Sequence, residues 1–573
     1  MLSLLFLSFS LGGASSARAA CASGGGLDLH WQDYLVTDPL PNVTFPIARN
    51  FAGNVPINND TATNNTLFFW AFEKSNGSLT APAGASDEPW IIWLNGGPGA
   101  SSMTGLMVEN GPLLVTGDYS IVDNPWSWNK LADTFWIDQP AGVGYATSDP
   151  DYGNVLAEHA LGFLTNLVEI FPSLAIRPLY LAGDYAGTYI PYITKALFST
   201  PCPPVKLRKF AIGDGTLGDY YSYSGVPVIA LIETYPQLIG YDPEVFEYFK
   251  EQYQLCGFDF TLEYPPTGPL FYGSAPSSSS GNLKAVKSAW KKVWSRTQNP
   301  PISKREQSDR VLAWKRDLPP NNGTINPTWG CSLVDELVDW ALTNSFPWTL
   351  GGFDYYDIPD ALNPEVPSDP SVFLNDNRTR LALHAPSKIW VNEDDDLLVG
   401  GNEFLSELAT NASKNGVSLI FYSGNDDSLI SHRSTEVVIQ NTTFGGIQGF
   451  TRKPATAFTD DHGKFAGIVH QERNVTYALF NHAGHLVPQS VPEAAFVFLR
   501  EFILGSNLTG YVDPKTGAVV GGEDPTFLAH DYLAGGDAIF YGAGTTASST
   551  VAPTATIAAW DKFITTATVI ATA

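Results

Sequence analysis

The sequence predicts an α/β fold with a mostly parallel central sheet, and three observations carry that prediction. Apolar, β-branched or aromatic runs end repeatedly in glycine-containing turns. Helix-like segments fall between or after them. From about Gly218 to Leu374 the pattern gives way to aromatic, Pro-, Ser- and Asn-rich sequence. Fully apolar strands alternating with helices suit a sheet covered on both faces, whose functional loops gather at the carboxyl ends of the strands. The irregular stretch reads as an insertion over that sheet, a lid or pocket wall.

In chain order, PWIIWLNGG (89–97), TFWIDQPAG (134–142), PLYLAG (178–183) and KFAIGDG (209–215) read as buried strands running into turns. SLIFYSGNDD (418–427) and VTYALFNHAGH (475–485) repeat the pattern late in the chain. AEHALGFLTNLVEIF (157–171) and VPEAAFVFLREFILG (491–505) read as helices. GSAPSSSSGN (273–282) reads as a flexible loop or nick site. The tail from about Gly544 is Ser/Thr/Ala-rich, and Asp561 with Lys562 interrupts its final apolar run. That interruption argues against a lipid-anchor signal and for a short docking helix or disorder.

The chain has 573 residues, 44% hydrophobic and 13% aromatic, enough for one large core with a substantial insertion. Its net charge of −26 argues against nucleic acid and anionic membrane surfaces as partners. The opening run MLSLLFLSFSLGG, followed by small residues at Ala17 and Ala19, has a signal-peptide pattern, although no Lys or Arg precedes it. Ten Asn-x-Ser/Thr sites point the same way: Asn42, Asn59, Asn64, Asn76, Asn322, Asn377, Asn411, Asn441, Asn474 and Asn507. The expectation is an exported protein carrying N-linked glycans, secreted or held in an acidic vacuole- or lysosome-like compartment, with no transmembrane segment. Of four cysteines (Cys21, Cys202, Cys256, Cys331), Cys256 and Cys331 flank a long polar stretch they could close, but three full pairings remain open. No spacing suggests a metal site; His482 and His485 form the closest pair and lack an obvious third ligand. No cofactor is expected.

WLNGGPGASS (93–102) is a glycine-rich turn after a buried strand, of the kind that lets backbone N–H groups converge on a developing oxyanion. With it come TGLMVENGP (104–112), IDQPAGVGYATS (137–148), YAGTYIP (185–191), YSGNDDS (422–428) and AGHLVP (483–488). Together, in order across roughly residues 40 to 510, these motifs closely resemble the serine carboxypeptidase family. The resemblance implies an α/β-hydrolase fold with an inserted lid or pocket subdomain, and a triad arriving in the order Ser, Asp, His. It places Asp427 as the catalytic acid and His485 as the base, with His482 a variable neighbour. Asn425 stands where the family usually has Asp, and Ala100 where it usually has Cys in GPGCSS. The acidic run NEDDD (392–396) follows a segment resembling part of the pocket wall and reads as a solvated loop.

The family's nucleophile motif is G-E-S-Y-A-G, whereas this chain reads G-D-Y-A-G over Gly183–Gly187 with matching flanks on both sides. One residue is missing between Asp184 and Tyr185. Loss of three consecutive bases inside a Glu-Ser codon pair leaves an Asp codon, so one in-frame event explains both changes. The resemblance further implies an oxyanion site at the N–H groups of Gly97 and Tyr185. A free C-terminal carboxylate of a peptide or protein would be held by Asn95, Glu109 and Asp184, the acids acting as protonated donors. Trp93 reads as strand packing.

Three readings follow: an active carboxypeptidase with a one-residue lesion at its elbow, a protein that binds peptide C-termini without cutting, or a hydrolase with Asp184 as nucleophile. An acyltransferase using the same acyl-enzyme is a variant of the first. The expected organisation is a signal peptide (1–19), a first core part (20–217), the lid and pocket insertion (218–400), a second core part (401–510) and a C-terminal extension (511–573).

Overall fold

The computed structural model describes residues 29–58, 64–97, 99–149, 156–184, 189–270, 323–362, 369–392, 404–542 and 548–570. The signal-peptide segment, Cys21, the sequons at Asn59 and Asn322, Tyr185, the serine-rich loop and the acids at 393–396 lie outside them.

Ten strands form one sheet: β1 (Asn50–Pro56), β2 (Thr66–Phe72), β3 (Trp90–Asn95), β4 (Asp133–Asp138), β5 (Pro178–Asp184), β6 (Lys206–Gly213), β7 (Ser418–Gly424), β8 (Thr456–Thr459), β9 (Phe465–Glu472) and β10 (Val475–Phe480). Their order is β1-β2-β4-β3-β5-β6-β7-β10-β9-β8. The six inner strands from β4 to β10 pair in parallel, and the four outer strands pair antiparallel. Every strand foreseen from the sequence lies in the parallel centre; β1, β2, β8 and β9 were not foreseen.

Alternation along each strand sends side chains to two apolar layers. Trp90, Ile92 and Leu94 join one, with Leu179 and Leu181 from β5 and the helices Leu156–Ile170, Ile190–Ser199 and Leu405–Lys414. Ile91 and Trp93 join the other, with Tyr180 and Ala182, the segment around Phe373–Trp390 and the helical stretch 492–504. Both faces are therefore covered, which is why the central strands read as unbroken apolar runs.

The inserted region builds a third apolar cluster of its own. Its helices are Val228–Thr234, Pro243–Leu255 and Leu333–Asn344. Pro243 opens the second helix, and the Asp242 side chain accepts from Glu244 N. A Cys256–Cys331 disulfide ties these helices together. The tail forms a helix over Thr554–Ile570, and its Trp560 packs edge-on against Phe246 at 5.5 Å, so of the two outcomes expected for the tail the structure has the docked helix. No helix among the described residues is long and apolar enough to cross a membrane.

At the amino ends of the strands, away from the glycine turns, Arg177 is fully buried against Asp133, with Nη2 2.6 Å from Oδ2. Its guanidinium also donates to the carbonyls of Glu88, Ser78 and Pro89. Removing one partner of such a pair leaves a buried charge unmatched. Arg177→Ala should therefore lower unfolding free energy by about 3–5 kcal/mol in urea titrations, with the carboxyl ends of the strands untouched.

Candidate active site

The carboxyl ends of four adjacent strands line up in register: Asn95 opposite Asp184, Asp184 opposite Gly213, and Gly213 opposite Tyr422. Gly213 leaves room for the Tyr422 ring, since a Cβ there would sit 2.2 Å from it. The ring thereby faces Glu109, Asp184 and Asp214 and brings its hydroxyl to 3.5 Å from Gly183 O.

After β3 the chain turns at Gly97 with φ +115°, and a Cβ there would meet Gly99 N at 2.6 Å, so only glycine fits. Tyr189 bridges this turn, its hydroxyl accepting from Gly99 N and contacting Gly96 O. Ser101 then caps a short helical turn, its Oγ accepting from Met103 N and from Trp390 Nε1 while donating to Asp138. The turn widens into a π-turn over Gly105–Glu109 that carries Glu109 inward. Asn392, at the start of the acidic run, accepts from Ser101 N and Thr104 Oγ1.

Asn95 is fixed on both sides of its amide. Its Oδ1 accepts from Trp93 Nε1 at 2.8 Å and Gly105 N at 3.1 Å, and its Nδ2 donates to Glu109 Oε1 at 2.9 Å. Trp93 therefore orients Asn95 as well as packing the strand. Glu109 is buried, and its Oε2 has no hydrogen-bond partner among the described residues. Burial pushes its carboxyl up to about 7, against the lowering effect of Asn95.

The residues expected as acid and base, Asp427 and His485, lie in the turns that follow β7 and β10. Asp427 Oδ2 lies 2.8 Å from His485 Nδ1, and both side chains are buried. The other Asp427 oxygen accepts from Leu429 N at 2.7 Å and Ile430 N at 3.1 Å, which fixes the carboxylate in its turn. His485 is held by its backbone N–H on Tyr356 O at 2.6 Å, and the Tyr356 ring stands edge-on to the imidazole at 4.8 Å. Asp214 is buried beside this pair, its Oδ1 accepting from Gly424 N at 3.0 Å. Burial and the charges of Asp427 and Asp184 push its carboxyl well above the usual range.

The strand register thus brings Asn95 and Asp184 together, hydrogen bonds join Glu109 to Asn95, and Asp427 pairs with His485. Tyr185 lies outside the described residues. Sequence reasoning missed Asp138, Asp214, Tyr356, Trp390 and Tyr422. Asp138 and Asp214 stood inside quoted motifs, so a polar residue at a buried strand end was the available signal. Tyr356 lies in the irregular insertion and gave none. Among the described residues one group, Asp460, His462 and Glu493, has ligand atoms close enough to hold a cation. It sits on the surface, where His462 Nδ1 lies 2.5 Å from Glu493 Oε1.

The serine carboxypeptidase family profile matches residues 41–252 and 355–505, more than half the chain. A carboxypeptidase Y homolog of Arthroderma benhamiae is 30% identical over 522 residues, covering 86% of this chain and 98% of that one. The pheromone-processing carboxypeptidase KEX1 of Ogataea parapolymorpha is 28% identical over 81% of this chain and 69% of its own length. The crystal structure of a prohormone-processing carboxypeptidase from Saccharomyces cerevisiae superposes with a TM-score of 0.56 at 22% identity, covering 82% of this chain and 96% of that one. With the α/β-hydrolase sheet and its strand-end motifs in place, the chain belongs to the serine carboxypeptidase family.

Proposed function

We propose that the site is built to hydrolyse C-terminal residues from peptides through an acyl-enzyme, and that this chain binds such termini without cutting them because one serine is missing between Asp184 and Tyr185. The observations that support the reading are the Asp427–His485 pair at 2.8 Å and a Gly183–Gly187 segment that reads G-D-Y-A-G without a serine. A serine there would attack the terminal peptide carbonyl, with its proton taken by His485 Nε2. Asp427 would hold the imidazole in the tautomer that exposes that nitrogen and stabilise the imidazolium. The N–H groups of Gly97 and Tyr185 would receive the oxyanion. No cofactor or metal takes part in these steps.

The position of Asp184 bears on the alternative in which it is the nucleophile. It ends β5 in register with Asn95, among the groups assigned to the substrate carboxylate. That placement supports the carboxylate-binding role. An acceptor other than water would use the same acyl-enzyme; the Asn95, Glu109 and Asp184 set favours a peptide terminus.

Carboxylate recognition by Glu109 has a defined sign with pH. Its carboxyl titrates near 7 and can donate to a substrate carboxylate only while protonated. Binding should therefore be full below that value and fall as pH rises through it. Calorimetry with a blocked dipeptide on the chain as it stands tests this between pH 5 and 8, the dipeptide amide serving as the control. The acid should bind more tightly than the amide, and Glu109→Gln should remove the loss between pH 6 and 8. Glu109→Ala should weaken binding by about 2 kcal/mol, or ~30-fold. Equal binding of acid and amide at pH 5 would rule the reading out.

Export and glycosylation belong to the same proposal. The eight sequon asparagines among the described residues are all exposed or half-buried, as an acceptor must be. Endoglycosidase treatment of protein from a secreting host should lower its apparent mass.

A further inference from the structure

The family profile stops at residue 505, yet the chain beyond it returns to the candidate active site. Asp531 anchors the approach on Lys453 at 2.7 Å and Arg433 at 3.5 Å. Leu533 follows, buried in the main core. Its backbone is gripped from both sides by one side chain, because Leu533 N donates to Asn425 Oδ1 at 3.0 Å and Asn425 Nδ2 donates to Leu533 O at 3.1 Å. The second Nδ2 hydrogen contacts Asp426 Oδ1 at 3.3 Å.

Asn425 begins the turn that carries Asp427, and the extension grips the other side of that turn as well. Gly536 N donates at 3.2 Å to the Tyr235 hydroxyl, which interacts with the buried Asp426 carboxyl. Phe540 N donates to Pro359 O at 2.7 Å. Its neighbour Ile358 donates to Asp426 O, two residues from the Tyr356 carbonyl that holds His485. A strap from outside the matched family segment therefore touches both segments that fix the acid and the base.

We propose that Asn425 is a positioning residue: its amide clamps the Leu533 peptide, and this strap holds the Asp427 turn and the Tyr356 loop in register with His485. The requirement is chemical. The position must donate to one backbone carbonyl and accept from one backbone N–H, which an amide does and an ionised carboxylate cannot. An Asp here would set a carboxylate against Leu533 O and the Asp426 carboxyl. That accounts for Asn where the family motif reads Asp, because the clamp and the extension are a matched pair.

The proposal rests on Asp427 and His485 being the acid–base pair, but its test needs no turnover, so an inactive chain serves equally well. Hydrogen exchange of the peptide containing Leu533, corrected for intrinsic rates, reads the clamp. The low-field proton between His485 and Asp427, followed by NMR at fixed pH, reads the positioning. Both are measured on the full chain at pH 4.5 and 7.5.

Asn425→Ala should speed exchange at Leu533 at least tenfold at both pH values and weaken the low-field proton. Asn425→Asp should match the Ala variant at pH 7.5 and the native chain at pH 4.5, where a protonated carboxyl can again donate to Leu533 O and accept from Leu533 N. The groups facing the position are Asp426 and Tyr235, with His432, His482 and Asp357 around them, and these are common to every variant. Should the Ala variant fail to fold, the Asp variant purified at pH 4.5 and shifted to 7.5 gives the same comparison. Exchange unaltered in the variants, a pH-independent Asp variant, or a freed Leu533 with an unaltered His485–Asp427 proton would each overturn the proposal.

Discussion

Insertion of one serine between Asp184 and Tyr185 should raise turnover of a blocked dipeptide at about pH 5 by on the order of 10⁴- to 10⁶-fold over the chain as it stands. That factor corresponds to about 5.5–8 kcal/mol of transition-state stabilisation, supplied by a covalent step through the inserted serine. The size of the effect follows from how much of the machinery is already assembled. Asp427 and His485 are in contact, the chain turns at Gly97 with φ +115°, and Asn95 is hydrogen-bonded to Glu109. An insertion elsewhere in the Gly183–Gly187 segment should leave turnover flat. Steady-state release of the C-terminal amino acid by both chains is the measurement.

In the serine-bearing chain, Asp427→Asn should lower kcat by on the order of 10⁴-fold and leave KM nearly unchanged. The carboxylate accepts from His485 Nδ1 and, through its second oxygen, from Leu429 N and Ile430 N. An amide places its NH₂ against donors on one side or the other, so His485 loses either its tautomer or its orientation. The neighbouring acid is the internal control. Asp426 faces Tyr235 and Asn425, and burial lifts its carboxyl to about 6, so Asp426→Asn should cost far less in kcat. Saturation kinetics on the two single variants separates adjacent residues of one NDDS motif by their geometry.

The parallel half of the sheet was legible because its strands are buried on both faces and end in glycine turns. β1, β2, β8 and β9 were not, because antiparallel edge strands such as NFAGNVP and TAFT carry no such punctuation. The inserted helices were obscured by Tyr- and Pro-rich composition, although their apolar faces make a third core. At the site, Asn95, Glu109, Asp427 and His485 could be named because the motifs that hold them resemble the family's. Residues that act by reaching across the fold could not. Tyr356 meets His485 across more than a hundred residues, and Leu533 meets Asn425 across a similar distance. Such contacts depend on tertiary proximity, which no local pattern records. Asn425 is the instructive case, because its departure from the motif was visible and the reason for it was not.

The most direct measurement exposes the chain as it stands and the serine-bearing chain to a serine-directed phosphonylating reagent and maps the adduct by mass spectrometry. The expected result is stoichiometric labelling of the inserted serine, dependent on His485, and no labelling of the present chain. Dipeptide hydrolysis by the present chain at a comparable rate, or a covalent substrate adduct on Asp184, would contradict the missing-serine reading, since either requires a working nucleophile in the chain as it stands.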